Sequence, residues 1–370
     1  MRVPFFDLRI FDKEYKKKLL NACKTMFNHG RFILGPEVEE FEKRVAQETG
    51  VKYAVGVASG SSALYMALKS LDIGPGDEVI TTPLTWIITV NAIAACGATP
   101  VCVDVGDDFN IDPIAIENAI TKETKAIVPM HYCGRLCDMK KICKIAERYN
   151  LHVVEDAAQA YGGAINGRKA GSFSTVAAFS MNCMKVLSAF GEAGAVVTND
   201  EIIAKKVKMF RYAGTTSDPK KIITNDCHYV SLNHKIDTIQ AAMLLVAMDY
   251  LPERMQRRTE IALYYNERLS KCVKTPDLGG ENDVHALYSY TIQAEDRNGL
   301  EAFLRENNIE TKIYHLPLVT DAPVYKNLPK LSTPNANRLV NRCLSIPAHE
   351  KLDDNQIEYV ADKVLEFYKS

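Results

Sequence analysis

Several things are scarce in this 370-residue chain. Its 45 lysines and arginines are all but cancelled by 46 aspartates and glutamates, so neither sign of charge is in excess. A protein that grips nucleic-acid phosphates or an anionic membrane surface usually carries a basic surplus, and both roles are disfavoured. No run reaches the roughly eighteen apolar residues that a membrane-spanning helix needs. Internal repeats and low-complexity tracts are missing too, which excludes solenoids and arrays. Met1-Arg2-Val3-Pro4 gives way quickly to charged residues, so no secretory leader is expected, and the cytoplasm is the expected compartment. There is a single tryptophan, Trp86.

The common nucleotide and nucleophile templates are also absent. No G-x-G-x-x-G follows the first apolar run, and no G-x-S-x-G elbow occurs. Gly162 and Gly167 have P-loop spacing, but Arg168-Lys169-Ala170 follows, so that match is accidental.

What is present suits a globular protein. Hydrophobic residues make up 47% and charged residues 25%, enough for a full core. The length suggests a large domain and a smaller companion. Ten cysteines sit mostly in apolar runs such as Ala94-Ala95-Cys96, and reduced core thiols are expected. His131, Cys133, Cys137 and Cys143 lack paired zinc spacing and a second pair elsewhere, so no metal site is expected.

Near the start, Tyr15, Leu19, Cys23, Met26 and Phe27 recur at helical spacing behind a possible cap, Asp12. From about residue 50 to 200, apolar runs alternate with helical stretches. The runs are Tyr53 to Ala58, Val79 to Thr82, Thr99 to Val105, Ala126 to Met130, His152 to Glu155, Val176 to Ser180 and Ala195 to Thr198. This alternation predicts an α/β fold with a mostly parallel sheet covered on both faces. Ligands of such sheets bind beyond the strands' carboxyl ends. A helix from Asp237 to Leu251 and another from Glu253 to Leu269 follow, and then a smaller α/β domain. The expected division is 1–245 for the large domain with its N-terminal segment, and 246–370 for the small one.

Three features lie at strand ends. Ser59-Gly60-Ser61-Ser62 opens a helix, where free N–H groups favour a phosphate, although plain serine capping also accounts for it. Glu155-Asp156 closes an apolar strand, offering either a partner for a cation or a helix cap. Lys185, among Asn182-Cys183-Met184, is either a solvated charge or an amine whose pKa is lowered for Schiff-base chemistry. Together the three match the needs of pyridoxal 5'-phosphate: a phosphate cradle, a carboxylate for the ring nitrogen and a lysine. Trp86, just beyond the second run, is either a ring-stacking face or a core or interface residue.

With these residues in view, the chain resembles the DegT/DnrJ/EryC1/StrS aminotransferases. The resemblance runs from Phe32-Ile33-Leu34-Gly35-Pro36 through Gly76-Asp77-Glu78, Gly97-Ala98-Thr99-Pro100, Glu155-Asp156-Ala157-Ala158-Gln159, Phe179-Ser180 and Lys185. It continues with Gly191-Glu192-Ala193-Gly194, Asp237 to Ala242 and Leu344-Ser345-Ile346-Pro347. It implies a fold type I transferase whose large domain holds a seven-stranded, mostly parallel sheet. Lys185 would bond the cofactor and then shuttle the proton, and Asp156 would keep the pyridine nitrogen protonated. Gln159 would sit near the phenolic oxygen, and Trp86 would stack on the ring. Gly60, Ser61, Ser62 and Ser180 would hold the phosphate, and Asn233 would reach the phosphate of a second subunit in a homodimer.

The implied substrates are L-glutamate and a nucleotide-linked keto sugar. Val3 to Leu8 and Asp237 to Ala242 look more like members acting on 3-keto than on 4-keto sugars. A non-catalytic cofactor-binding regulator is the reading from another class, and a desulfurase using Cys183 is a third. Three departures from the family's pattern stand out: Lys235 where arginine is common, Asn182-Cys183-Met184 ahead of the lysine, and Ala193 where glycine is commoner, so the loop beside the sugar is expected to differ.

Overall fold

A computed structural model describes residues 1–216, 225–329 and 331–369. Its central sheet uses β1 (Tyr53–Val57), β2 (Glu78–Thr81), β3 (Thr99–Cys102), β4 (Thr124–Ile127) and β5 (His152–Asp156). A short hairpin, β6 (Ala164–Ile165) and β7 (Arg168–Lys169), follows, and β8 (Val176–Ser180) and β9 (Gly194–Thr198) complete the sheet. The spatial order is β1-β9-β8-β5-β4-β2-β3, seven strands as expected. All are parallel except β9, which runs antiparallel to both neighbours, β1 and β8.

The strands are nearly continuous apolar runs because both faces are covered. On one face, helices Gly60–Ser70 and Glu201–Arg211 bring Leu64, Leu68, Val207 and Phe210 against Val55, Val154 and Val196. On the other, helices Pro36–Thr49 and Thr238–Asp249 bring Phe41, Val45 and Leu244 against Ala177, Phe179 and Val197. Pro36 and Pro252 each stand in a helix's first turn, where a missing N–H costs nothing.

The small domain is built on β10 (Tyr290–Gln293) paired antiparallel with β11 (Cys343–Ile346). Helices Leu251–Leu269, Arg297–Glu306 and Asp354–Phe367 cover it, with Tyr265, Leu304 and Val360 fully buried. Packing changes over inside helix Leu251–Leu269: Leu251 belongs to the large core and Ile261 to the small one. Val3, from the other end of the chain, is also buried in the small core and pairs with Ile309.

Some local expectations need correction. Asp12 caps helix Lys13–His29 through the N–H of Tyr15, and Tyr15, Leu19 and Met26 are buried. Phe27, expected on that face, is 66% exposed. The accidental P-loop spacing has a structural origin. Asn166 and Gly167 both have positive φ, 49° and 76°, and form the two-residue turn between β6 and β7. That pairing of residue types and angles is a type I′ hairpin turn. The ten cysteines are all free, and nine are buried or half-buried; Cys227 is exposed. His131, Cys133, Cys137 and Cys143 assemble no metal-ligand cluster among the described residues.

Candidate active site

A cavity of about 660 Å³ opens at the carboxyl ends of β5 and β8, beneath the small domain. Among its lining residues are Gly60, Ser61, Trp86, Asp156, Gln159, Ser180 and Lys185. Seven of the nine residues expected at the site therefore meet there. They come from five separate stretches of chain that the sheet brings to one edge.

Strand alternation sorts the two carboxylates at the end of β5. Glu155 turns away from the cavity and is completely buried. It accepts from Gly171 N at 2.8 Å, Phe173 N at 3.0 Å and Ser174 Oγ at 2.7 Å, and lies 3.1 Å from His131 Nε2. His131 Nδ1 accepts from Cys137 N, so Nε2 carries the proton toward Glu155. Burial raises the Glu155 pKa, but these partners outweigh it, and the net shift is downward. Glu155 is a tie between β5 and the loop before β8.

Asp156 faces the cavity and is only 3% exposed. Its Oδ2 accepts from Thr89 Oγ1 at 2.7 Å and its Oδ1 from Ala158 N at 3.2 Å. Burial outweighs both bonds and raises its pKa. No cation forms an ion pair with it among the described residues. Burying a carboxylate is expensive unless a positive charge answers it. A protonated ring nitrogen bound in the cavity would supply that charge.

Lys185 follows a turn in which its own N–H donates to Asn182 O at 2.8 Å. Its Nζ lies 4.3 Å from the ring centroid of Tyr288, a small-domain residue. Burial lowers its pKa to about 8, even though the Asp156 charge pulls the other way. A substantial share of neutral amine at physiological pH is what a Schiff-base nucleophile requires.

The phosphate cradle is shaped by one close approach. A Cβ on Gly60 would stand 2.5 Å from Ser180 Cβ, so only glycine lets the helix start sit against the end of β8. Ser59 caps that helix and accepts from Ser62 N at 3.1 Å. The N–H groups of Gly60 and Ser61 lie outside the intrahelical ladder and suit an anion. The residues present thus fit pyridoxal phosphate at each point where it makes demands.

Two expected residues stand elsewhere. Ser62 is buried behind the cradle, with its hydroxyl 2.9 Å from His234 Nδ1. Asn233 is exposed on the segment after residue 225, away from the cavity lining of its own chain. Trp86 lines the cavity and is 62% exposed, a ring face without cover from its own chain. Gln159 accepts from Cys133 N at 2.7 Å, which fixes its amide. Cys183, the candidate for desulfurase chemistry, is not among the residues lining this cavity.

The sequence reading missed Thr89, Tyr288, Tyr314 and His315. Thr89 had a signal: it stands in the first turn of the helix that follows Trp86. The other three come from the small domain, more than 100 residues after Lys185, and no motif announces them.

A sequence model of the DegT/DnrJ/EryC1/StrS aminotransferase family matches residues 13–365. The chain belongs to that family. It is 37% identical over 378 residues to the pleiotropic regulatory protein of Geobacillus stearothermophilus, covering 100% of this chain and 99% of the relative. It is 35% identical over 363 residues to the dTDP-3-amino-3,6-dideoxy-alpha-D-galactopyranose transaminase of Aneurinibacillus thermoaerophilus, covering 98% of each. Among solved structures, NtdA of Bacillus subtilis with its cofactor PMP bound superposes with a TM-score of 0.92. The two are 30% identical over 100% of this chain and 86% of the other. The expectations of a fold type I transferase and of a pyridoxal-phosphate-dependent transaminase therefore stand.

Proposed function

We propose that this aminotransferase moves the amino group of L-glutamate onto the keto carbon of a nucleotide-linked sugar, with a 3-keto sugar as the acceptor. The observation that carries the reading is the reach of the cavity. Besides Asp156, Gly60 and Lys185, which would serve the cofactor, Ile87, Ile88, Val319 and Ala322 line its volume of about 660 Å³. That space suits an acceptor much larger than an amino acid, and Lys312 brings a cation to the same lining for a diphosphate. The similarity to a transaminase named for a 3-amino sugar favours the 3-keto position.

When bound, pyridoxal phosphate supplies the electron sink that stabilises charge at the carbon losing its proton. The protein's part is positional and electrostatic. Asp156 would hold positive charge at the ring nitrogen, and the hydrogen bond from Thr89 favours its carboxylate form against the burial that raises its pKa. Lys185 Nζ takes a proton from one carbon and returns it to another. Tyr288 packs over the lysine, with its hydroxyl 3.3 Å from that of Tyr314, and shields the amine on that side.

A homodimer with shared sites belongs to the same proposal. Asn233 lies close to Leu232 and Val230, which are 72% and 95% exposed, an apolar face suited to cover by a second copy. The regulatory name of one relative raises the non-catalytic reading. Lys185 and Asp156 both stand in place here, which favours catalysis. The test is incubation with glutamate and UDP-, dTDP- and GDP-linked 3-keto and 4-keto sugars, with products read by mass spectrometry. An amino sugar from a 3-keto acceptor is the expected result. Conversion of 4-keto acceptors alone corrects the position, and no amino sugar from any of them overturns the reading.

A further inference from the structure

We propose that His234 is a positioning residue that keeps the phosphate cradle in its binding shape by gripping the turn after β1 at both ends. It acts at the cofactor end of the cavity, whatever sugar is accepted at the other.

The cradle depends on a short turn. Ala58 to Ser62 leads from β1 into helix Gly60–Ser70 and carries the Gly60 and Ser61 N–H groups that suit an anion. His234 touches both ends of that turn. Its backbone carbonyl accepts from Ala58 N at 2.9 Å, and its Nδ1 lies 2.9 Å from Ser62 Oγ. The strap that carries it is itself fixed. His234 N donates to Arg211 O at 3.1 Å, Lys235 pairs with Val57, and Asn233 pairs with Tyr212. Gly60 and Ser61 are thus bracketed by two bonds from a single residue, 172 positions beyond Ser62 in the chain.

The side-chain bond reaches the helix cap as well. Ser59 Oγ accepts from Ser62 N at 3.1 Å and donates to Ser62 Oγ at 3.2 Å. Having accepted from Ser59, Ser62 has its own proton free for His234 Nδ1. The linked groups Ser59, Ser62 and His234 therefore hold the cap and the turn together. Nε2 is buried without a partner, so Ser62 is the ring's one hydrogen-bond partner among the described residues. Burial lowers the His234 pKa, which leaves the ring neutral at physiological pH. It offers a phosphate no charge; its contribution is geometric. A turn already held in its binding shape loses less freedom when the anion arrives.

The experiment compares pyridoxal phosphate with pyridoxal, which lacks only the phosphate, by absorbance titration of the cofactor-free full chain. His234→Phe keeps a ring and the backbone bond but removes the grip on Ser62. It should bind pyridoxal phosphate about fivefold to thirtyfold more weakly, and pyridoxal within about twofold of the wild type. Inorganic phosphate, competing for the same cradle, should weaken by a similar factor. His234→Asn, with a polar atom in the place of Nδ1, should recover much of the loss. His234→Phe combined with Ser62→Ala should cost little more than either alone, because both cut one connection.

Equal losses for pyridoxal phosphate and pyridoxal would mean a general loosening of the fold and overturn the proposal. So would unchanged affinity for pyridoxal phosphate, or losses that multiply in the double variant. If His234→Phe does not fold, Ser62→Ala alone must show the same contrast between the two ligands, and its absence is equally decisive. None of these results depends on the sugar acceptor, so the substrate reading stands or falls separately.

Discussion

The ionisation of Lys185 offers a quantitative test that needs no substrate. An ordinary lysine side chain titrates near 10.5; burial here lowers the value to about 8. The difference corresponds to about 3 kcal/mol in favour of the neutral amine. At pH 7.5 an unshifted lysine is neutral about one part in a thousand, whereas a pKa of 8 leaves about a quarter neutral. The gain in reactive amine is about two hundredfold. Competitive labelling of the cofactor-free enzyme with acetic anhydride, quantified by mass spectrometry on the Lys185 peptide, should give an inflection near pH 8. Asp156→Asn should move it lower still, because the Asp156 charge now favours the ammonium form. The sign for stability follows. Between pH 8 and 10.5 the unfolded chain holds a proton on this lysine that the folded chain has released, so its contribution to stability rises with pH across that window. Reactivity that keeps rising tenfold per pH unit up to about pH 10 would refute the burial argument.

Other expectations follow from single contacts. Gly60→Ala drives a methyl to 2.5 Å from Ser180 Cβ and should weaken cofactor binding at least about tenfold, read by absorbance titration. Thr89→Val removes the 2.7 Å bond to Asp156 and should lower kcat about tenfold, with Thr89→Ser restoring it. Glu155→Ala strips four partners of their acceptor and should destabilise the fold by about 3–5 kcal/mol in denaturant titration. Because the Glu155 pKa is depressed in the folded state, its contribution is present above the unfolded value of 4.5. It should be lost as pH falls through the lower folded value, sharpening acid unfolding.

Much of this was legible because the chemistry sits at strand ends. Apolar runs place the strands, and the residue at or just past the end of each run is the one a parallel sheet aims at ligands, as with Asp156 and Ser180. Adjacent carboxylates are separated only by direction. Glu155 and Asp156 look alike in sequence, and the pleat sends one into a structural network and the other into the cavity. Ser62 shows the limit of a motif: helical rotation carries it behind Gly60 and Ser61, onto His234. Tyr288, Tyr314 and His315 were invisible because a second domain delivers them, and contacts across about 100 or more residues leave no local periodicity. The direction of β9 was hidden as well, since an antiparallel strand buried on both faces has the same apolar pattern as a parallel one. Asn166-Gly167, by contrast, was a readable hairpin signal masked by a chance P-loop spacing.

The most direct test of the central claim follows the nitrogen itself. Holoenzyme is incubated with ¹⁵N-glutamate and a nucleotide-linked 3-keto sugar, and the product is examined by mass spectrometry and ¹⁵N-coupled NMR. The account predicts one ¹⁵N on carbon 3 of the sugar, one 2-oxoglutarate released for each amino sugar formed, and neither product with Lys185→Ala. Label on no sugar carbon, or an undiminished yield from Lys185→Ala, would contradict it.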